Sequence, residues 1–360
     1  MAAPVMPVTS TGRERGYSGD MRPGALARRD LLRGILALAG LGLFAGCGML
    51  PPTVERARRA PRLGYLHPGG STVPGLRAFQ GAFLDGMRDL GYTDGGNLTI
   101  EWRWAEGDET RLPALAQELV GIPVDVIVAV GSALQAAKAA TASIPIVFPA
   151  HSDPVGSGFV ATLARPGGNI TGLSSFSSQM GGKRLELLKE TVPGLSRLAV
   201  LWLASQPTAS GAELRVLEQA AGTLNVGLVS LSVGAAHELP PTFAAMTGAG
   251  CEGLVTLASP LLTEWRTQIV ALAARHRLPA LYSNREYPDN GGLMSYGANG
   301  PNLYRRAATY VDRIFKGAAA ADLPVEQPTE FDLVINLAAA RELGLTIPPS
   351  VLQQATEVIR

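Results

Sequence analysis

Short apolar segments typical of strands alternate with segments of helical periodicity from Arg62 to the C-terminus. Residues 124–130 form a nearly continuous β-branched run, as in a parallel strand that is buried on both faces. Residues 133–140 are rich in helix formers, and residues 144–148 return to a strand pattern. Strands alternating with helices at this spacing predict an α/β fold with parallel sheets and right-handed crossovers.

The same alternation starts again after Gly172, which indicates two similar halves rather than one long sheet. A body of this length also suits two domains, at about 150 residues for each. The segment that follows Gly292 holds a strand, a helix and a last strand–helix pair, which is too little for a third domain. We therefore expect this tail to cross between the two halves and to complete both.

An export signal is predicted near the N-terminus, ahead of the alternating pattern. Arg28 and Arg29 precede an apolar run over residues 31–45, which small residues and Cys47 follow. This order is typical of a secretory signal, and the run is too short to span a bilayer. The paired arginines resemble a Tat-type signal, although Sec export fits as well.

The residues around Cys47 predict how the exported chain is attached to the membrane. Residues 43–47 resemble a bacterial lipobox, which predicts lipidation of Cys47; the alternative is a plain cleaved signal peptide. Residues 1–46 are thus expected to be an extension and signal, and residues 47–61 a proline- and arginine-rich tether. The expected location is the periplasm or the outer face of the cytoplasmic membrane, with a lipid anchor as the sole membrane contact.

Charge and motifs exclude several classes of function. The formal net charge is +1, and part of the positive charge lies in the signal and tether, so no basic face for nucleic acid is predicted. The chain has no Gly-x-Ser-x-Gly elbow, no Walker loop, no dinucleotide fingerprint and no zinc-type spacing of its four histidines. We therefore predict no cofactor, no metal and no catalytic group.

Ligands of open parallel sheets bind outside the carboxyl ends of the strands, and several polar residues follow predicted strands. The candidate ligand-binding residues are His67, Ser71, Ser132 and Asp153 in the first half, and Ser205, Ser259, Glu286 and Tyr296 in the second. Structural alternatives exist for most of them. Ser132 and Ser259 also suit helix caps, Asp153 a turn before proline, and Glu286 an ion pair with Arg285.

Seven blocks of sequence resemble the ABC-transporter substrate-binding family of the TrpX-like kind. These are DVIV at 125–128, IPIVF at 144–148, DPVG at 153–156, LARPGGNITG at 163–172, KRLELLKE at 183–190, GGLMSYG at 291–297 and LPVEQPT at 323–329. The resemblance implies a type I periplasmic binding protein fold, in which three crossovers join two Rossmann-like lobes. We expect crossovers near residues 172, 292 and 327, lobe 1 from residues 62–172 plus 293–325, and lobe 2 from residues 173–292 plus 326–360.

The resemblance implies a solute-binding component of an ABC importer, a monomer that delivers a small organic ligand to permease and ATPase subunits. A sensory binding protein for a kinase or chemoreceptor is an alternative with the same fold, and an exported α/β enzyme is a third. Relatives often carry an aspartate where this chain has Ser259, which weakens the case for a free α-amino acid as ligand. Asp153 or Glu286 could supply the missing carboxylate.

Overall fold

The computed structural model describes residues 59–72 and 74–360. The predicted signal peptide, Cys47 and residues 47–58 of the predicted tether lie outside the described residues. In the part of the chain that is described, no helix combines the length and the apolar character that crossing a membrane requires.

The described residues contain two sheets built from twelve strands. The strands are β1 (Arg62–His67), β2 (Thr99–Trp104), β3 (Val126–Ala129), β4 (Ile146–His151), β5 (Ile170–Ser174), β6 (Arg197–Leu203), β7 (Gly227–Val233), β8 (Gly253–Thr256), β9 (Ala280–Tyr282), β10 (Met294–Ala298), β11 (Phe331–Asn336) and β12 (Glu357–Ile359). One sheet has the order β2-β1-β3-β4-β5, and the other has the order β12-β11-β10-β9-β8-β6-β7.

Helices connect most of these strands. They are α1 (Pro74–Asp89), α2 (Leu112–Gly121), α3 (Ala133–Ala140), α4 (Ser177–Thr191), α5 (Pro207–Leu224), α6 (Leu239–Gly248), α7 (Pro260–Glu264), α8 (Arg266–Arg275), α9 (Gly300–Phe315), α10 (Leu337–Glu342) and α11 (Pro349–Gln354). Short 3₁₀ helices lie at Glu109–Arg111, Ala236–Glu238, Pro288–Asn290 and Ala320–Asp322. The predicted α/β fold with two mainly parallel sheets is confirmed.

Lobe 1 consists of the five-stranded parallel sheet with α1 and α9 on one face and α2 and α3 on the other. The strand period of two explains this packing, because neighbouring side chains point to opposite faces. Val126 and Val128 of β3 pack with Phe83 on the α1–α9 face, whereas Ile127 packs with Leu119 on the α2–α3 face.

Lobe 2 consists of the seven-stranded sheet with α4, α5, α10 and α11 on one face and α6, α7 and α8 on the other. Val200 of β6 belongs to the first layer, and its neighbours Ala199 and Leu201 belong to the second. All strand pairs are parallel except β10–β11, in which Met294 lies opposite Ile335.

Three passages of the chain connect the lobes. The chain leaves lobe 1 after β5, returns between β10 and α9, and crosses again between residues 323 and 331. This third passage runs beside β5, because the Thr171 hydroxyl donates to the Leu323 carbonyl at 2.6 Å and the Ser174 N–H donates to the Glu326 carbonyl at 2.8 Å.

The second passage differs from the expected boundary, which placed residues 293–325 in lobe 1. Strand β10 pairs with β9 and β11, so residues 294–298 belong to the sheet of lobe 2. The antiparallel partner β11 lies more than thirty residues further along the chain (Met294 opposite Ile335), and local sequence pattern does not reveal such a pairing. The return to lobe 1 therefore takes place at Asn299, which caps α9.

Candidate functional site

A cavity of about 700 Å³ lies between the carboxyl ends of the two sheets. Its walls come mainly from loops that follow strands, as expected for parallel α/β sheets. The residues that follow strands of lobe 1 are Gly131, Ser132, Ser152 and Ser175, and those that follow strands of lobe 2 are Ser205, Gln206, Ala258, Ser259, Ser283 and Asn284. Both lobes therefore contribute to one site.

The wall from lobe 1 is largely aromatic and aliphatic. Phe79 of α1 and Tyr304 of α9 lie with ring centroids 5.0 Å apart, and Leu303 and Phe159 line the same cavity. Helix α9 begins at Gly300, where a Cβ would lie 2.3 Å from the Phe79 ring. The glycine therefore allows α9 to approach α1 and to bring Tyr304 to the cavity.

His151, at the end of β4, is a neutral donor in the wall. Its Nδ1 accepts a hydrogen bond from the Asp153 N–H at 3.1 Å, so the neutral ring carries its proton on Nε2. Burial lowers the pKa of His151 to about 4, although nearby Asp153 opposes the shift. The ring meets Phe159 edge-on at 5.0 Å, which fixes its orientation.

Arg184 of α4 forms the charged part of the lobe 2 wall, and its side chain is almost fully buried. It makes an ion pair with Glu213 of α5, and it donates to the Ser177 hydroxyl and to the Tyr296 carbonyl, both at 2.9 Å. Burial raises the pKa of Glu213, and the Arg184 guanidinium opposes this rise. The pair is close to neutral as a unit, so it stiffens the wall without leaving a net charge there.

Four buried polar atoms of the lining have no hydrogen-bond partner among the described residues. They are Gln206 Nε2, Ser157 Oγ, Ser283 Oγ and Asn284 Oδ1. A buried polar atom without a partner costs about 1–3 kcal/mol, so such atoms are suited to bind a polar group that enters the cavity. The set contains a donor, an acceptor and two hydroxyls, and therefore favours an uncharged polar group at this part of the site.

The two lobes touch at the edge of the cavity. A Cβ on Gly131 would lie 2.8 Å from Pro260 Cγ and 3.6 Å from Gln206 Nε2, both of lobe 2. The Gly70 N–H of lobe 1 also donates to the Glu264 carboxylate of lobe 2 at 3.1 Å. The structure therefore has the lobes closed over the cavity.

Three of the predicted residues line the cavity, namely Ser132, Ser205 and Ser259. The Ser259 hydroxyl also accepts from the Leu262 N–H at 3.5 Å as the N-cap of α7, which is the structural alternative considered for it. Ser132 makes no cap hydrogen bond and instead donates to the Glu109 carboxylate.

Two predicted residues from the loop after β1 do not line the cavity. His67 is buried, and its Nδ1 accepts from the Gly69 N–H at 2.9 Å, which holds the loop locally. Burial lowers the pKa of His67 to about 3. Ser71 is exposed, and its N–H donates to the Glu106 carboxylate at 3.3 Å. Neither residue is placed to contact a solute in this closed arrangement.

The remaining three predicted residues also lie outside the lining. Asp153 accepts from the Gly156 N–H at 2.7 Å, which is the turn geometry considered as its alternative. Glu286 is buried behind the wall, where burial raises its pKa to about 7. Tyr296 packs its ring near Phe331 at 6.1 Å, and its carbonyl accepts a hydrogen bond from Arg184 of the lining.

The structure also brings residues to the cavity that sequence analysis did not select. The ionisable residues Glu109, His151 and Arg184 are among them, and Phe159 and Gln206 are further examples. His151 and Gln206 directly follow or end strands, so the strand-end rule could have found them. Arg184 lies within an amphipathic helix, where an arginine normally faces solvent, and no local signal marked it.

Two lobes that close over a cavity at the carboxyl ends of both sheets define a two-lobed ligand-binding protein. The profile of the ABC transporter substrate binding protein family matches residues 72–359, so the chain belongs to this family.

Several proteins that are similar to this chain support its assignment to the family. A tyrosine-binding protein of Clostridioides difficile is 26% identical over 270 residues, which cover 73% of this chain and 75% of that protein. A conserved domain protein of Vibrio cholerae is 28% identical, with a TM-score of 0.77, and an ABC domain from Streptococcus pneumoniae in complex with L-Trp is 26% identical, with a TM-score of 0.76. Each alignment covers 83% of this chain and 99% of the other chain. The type I periplasmic binding protein fold is confirmed.

Proposed function

We propose that this protein is the exported receptor of an ABC importer, which captures a small organic solute between its lobes and delivers it to a permease. The observation that carries the proposal is the cavity lined by strand-end loops of both lobes, with the lobes in contact beside it. A solute in this cavity contacts both lobes only when they are closed. Its binding energy therefore favours the closed state, which is the form that a permease can recognise.

The class of solute is supported by the wall chemistry and by relatives. Phe79, Phe159 and Tyr304 offer aromatic surface, and Gln206, Ser283 and Asn284 offer unpartnered polar atoms. One relative is named a tyrosine-binding protein, and a similar structure holds L-Trp. We propose a compact solute with an aromatic or apolar body and a polar end, bound without any bond being made or broken.

We also propose that the protein is exported and anchored by a lipid. An exported receptor that is lipidated at Cys47 would stay close to its permease and ATPase partners, with residues 47–61 as the tether. Ser132, Ser205 and Ser259 are proposed to contact the solute, because their side chains line the cavity. The lobes share one continuous cavity within one chain, which supports a monomer as the binding unit.

A thermal-shift screen of the purified folded body tests the proposal. The panel contains amino acids, aromatic acids, aromatic amines, purines and short-chain organic acids. A solute at about 100 times its Kd adds about 2.7 kcal/mol to the stability of a protein that binds it only when folded. We expect at least one aromatic or apolar solute to raise the melting temperature, and calorimetry then gives its Kd.

A matched pair of variants tests whether the solute binds in the cavity. Gln206→Leu removes an unpartnered donor of the lining, whereas Gln219→Leu changes an exposed residue within α5, the helix that directly follows Gln206. We expect Gln206→Leu to weaken binding about 10-fold, which corresponds to one hydrogen bond, and Gln219→Leu to have no effect. Absence of binding across the whole panel would contradict the proposed function.

A further inference from the structure

Among the described residues, the cavity lining contains one acidic side chain that no basic side chain pairs with. Glu109, His151, Arg184 and Tyr304 are the ionisable residues in this lining. Burial raises the pKa of the Tyr304 phenol, which is therefore uncharged. His151 is neutral, because its ring is buried and its Nδ1 accepts a hydrogen bond. Arg184 is paired with Glu213. The carboxylate of Glu109 is therefore the remaining charge that a bound solute meets.

The Glu109 side chain is held in place by its surroundings. It belongs to the 3₁₀ helix Glu109–Arg111, whose cap Asp108 accepts from the Thr110 N–H at 3.1 Å. The Ser132 hydroxyl donates to Glu109 Oε1, which directs the carboxylate toward the end of β3. Among the described residues, no lysine, arginine or histidine nitrogen lies within 4.0 Å of this carboxylate. A carboxylate has about four acceptor positions, so most of its capacity is free for a ligand.

Glu109 lies close to the place where lobe 2 contacts lobe 1. Ser132, its hydrogen-bond partner, follows Gly131, which contacts Pro260 of lobe 2. Lobe 2 also brings Glu264 to the Gly70 N–H on closure, near Glu106 of lobe 1. Glu264 and Glu106 thus lie where the lobes meet but outside the cavity lining, whereas the Glu109 carboxylate lines the cavity.

We infer that Glu109 binds a cationic group of the solute, such as a primary ammonium, and that the receptor therefore selects solutes that carry an amine. This inference rests on the proposed function, since it names the chemistry read by the same cavity. An ammonium group donates three hydrogen bonds and gains charge-assisted bonds to the carboxylate that an uncharged or anionic solute cannot make. The apolar body of such a solute would then lie against the lobe 1 wall of Phe79, Phe159 and Tyr304.

The test compares solutes that differ in their charged groups. Thermal shift and calorimetry are run with L-tryptophan, tryptamine, indole-3-propionate, phenethylamine, benzoate and the members of the broader screen, grouped by charge at pH 7.5. We expect the solutes that bind to carry an amine, and each amine to bind at least 10-fold more tightly than its analogue without one.

A substitution assigns the effect to one residue. Glu109→Gln keeps the shape of the side chain and an oxygen for the Ser132 hydroxyl but removes the charge. We therefore expect it to weaken the binding of amine-bearing solutes by about 10- to 100-fold. The control is Glu118→Gln on α2, whose carboxylate pairs with Arg103 and does not line the cavity. It should bind as the unmodified chain does. Melting temperatures without solute show whether either variant is misfolded.

The outcomes separate the inference from the proposed function. Tight binding of solutes without an amine, or unchanged amine affinity in Glu109→Gln, would overturn the inference and leave the receptor role intact. Absence of binding by every solute, in the unmodified chain as well, would overturn both. Selective loss of amine binding in Glu109→Gln alone supports both.

Discussion

The two lobes share an architecture but differ in the side chains that they bury. Among the described residues, lobe 2 buries the charged side chains of Arg184, Glu213, Arg266 and Glu286, whereas lobe 1 buries that of Asp312 alone. Asp312 binds the exposed Lys316 at 2.9 Å and thus remains near the surface. Lobe 1 therefore depends on apolar packing, while the interior of lobe 2 depends on compensation of charge. We expect pH and single polar substitutions to affect lobe 2 more strongly.

The largest expected effect tests the buried ion pair of lobe 2. Glu213→Gln leaves the buried Arg184 guanidinium without its counter-charge, so we expect the free energy of unfolding to fall by about 3–5 kcal/mol. Urea denaturation monitored by circular dichroism measures this loss.

The double variant Arg184→Met with Glu213→Leu is the control for that experiment. It removes both charges and fills the space with apolar atoms, so most of the lost stability should return. If the single and double variants are equally unstable, the loss comes from packing, and the contrast between the lobes is wrong.

The pH dependence of lobe 2 gives the next largest effect. Burial raises the pKa of Glu286 from 4.5 to about 7, so its folded form holds a proton that the unfolded chain releases above pH 4.5. The contribution of Glu286 is therefore favourable below pH 4.5 and is lost as pH rises through about 7. Glu286→Gln resembles the protonated form, and we expect it to stabilise the protein at pH 8 by at most about 3 kcal/mol, at about 1.4 kcal/mol per pKa unit.

Urea denaturation at pH 4, 6 and 8 measures that difference between the Glu286→Gln variant and the unmodified chain. The difference should disappear at pH 4, where both forms are uncharged. Glu218→Gln, at an exposed position of α5, provides the control. A stability difference that does not change with pH would show that Glu286 is not protonated in the folded protein.

The smallest effect concerns the contact between the lobes, where Gly131 of lobe 1 meets Pro260 of lobe 2. Gly131 has φ +56° and lies against Pro260, whereas Gly158 has φ +70° and no atom lies within 4 Å of the position that a Cβ would take there. Alanine at either position costs about 1 kcal/mol from backbone strain. Gly131→Ala should in addition hinder closure and weaken solute binding by about 10-fold, as measured by calorimetry, while Gly158→Ala should not. Equal affinities would mean that the lobes do not close at this contact when a solute binds.

Much of the fold could be predicted because its signals are local. The β3 run is buried on both faces and apolar throughout, so its place in a central parallel strand follows from composition alone. The position of β10 could not be predicted in the same way. Its membership in lobe 2 depends on pairing with β9 and β11, and the α9 helix between β10 and β11 belongs to lobe 1.

Sequence analysis selected cavity-lining residues where position along a strand decides the lining, and missed them where tertiary packing decides it. Ser132, Ser205 and Ser259 follow strands and line the cavity. Asp153 and Glu286 also follow strands, but one bonds to its own turn and the other is buried behind the wall. Whether a loop residue turns inward or outward depends on neighbours that are distant in sequence.

The return of the chain to lobe 1 at α9 also governs the order in which the protein can fold during synthesis. Helix α9 covers the sheet face that carries Tyr65 and Val128, yet it follows β10 and every strand before it. The first lobe to leave the ribosome therefore stays incomplete until much of the second has been made, with apolar surface open to non-native contacts. Folding after release of the whole chain would avoid such non-native contacts. A chaperone that covers this face during synthesis would have the same effect.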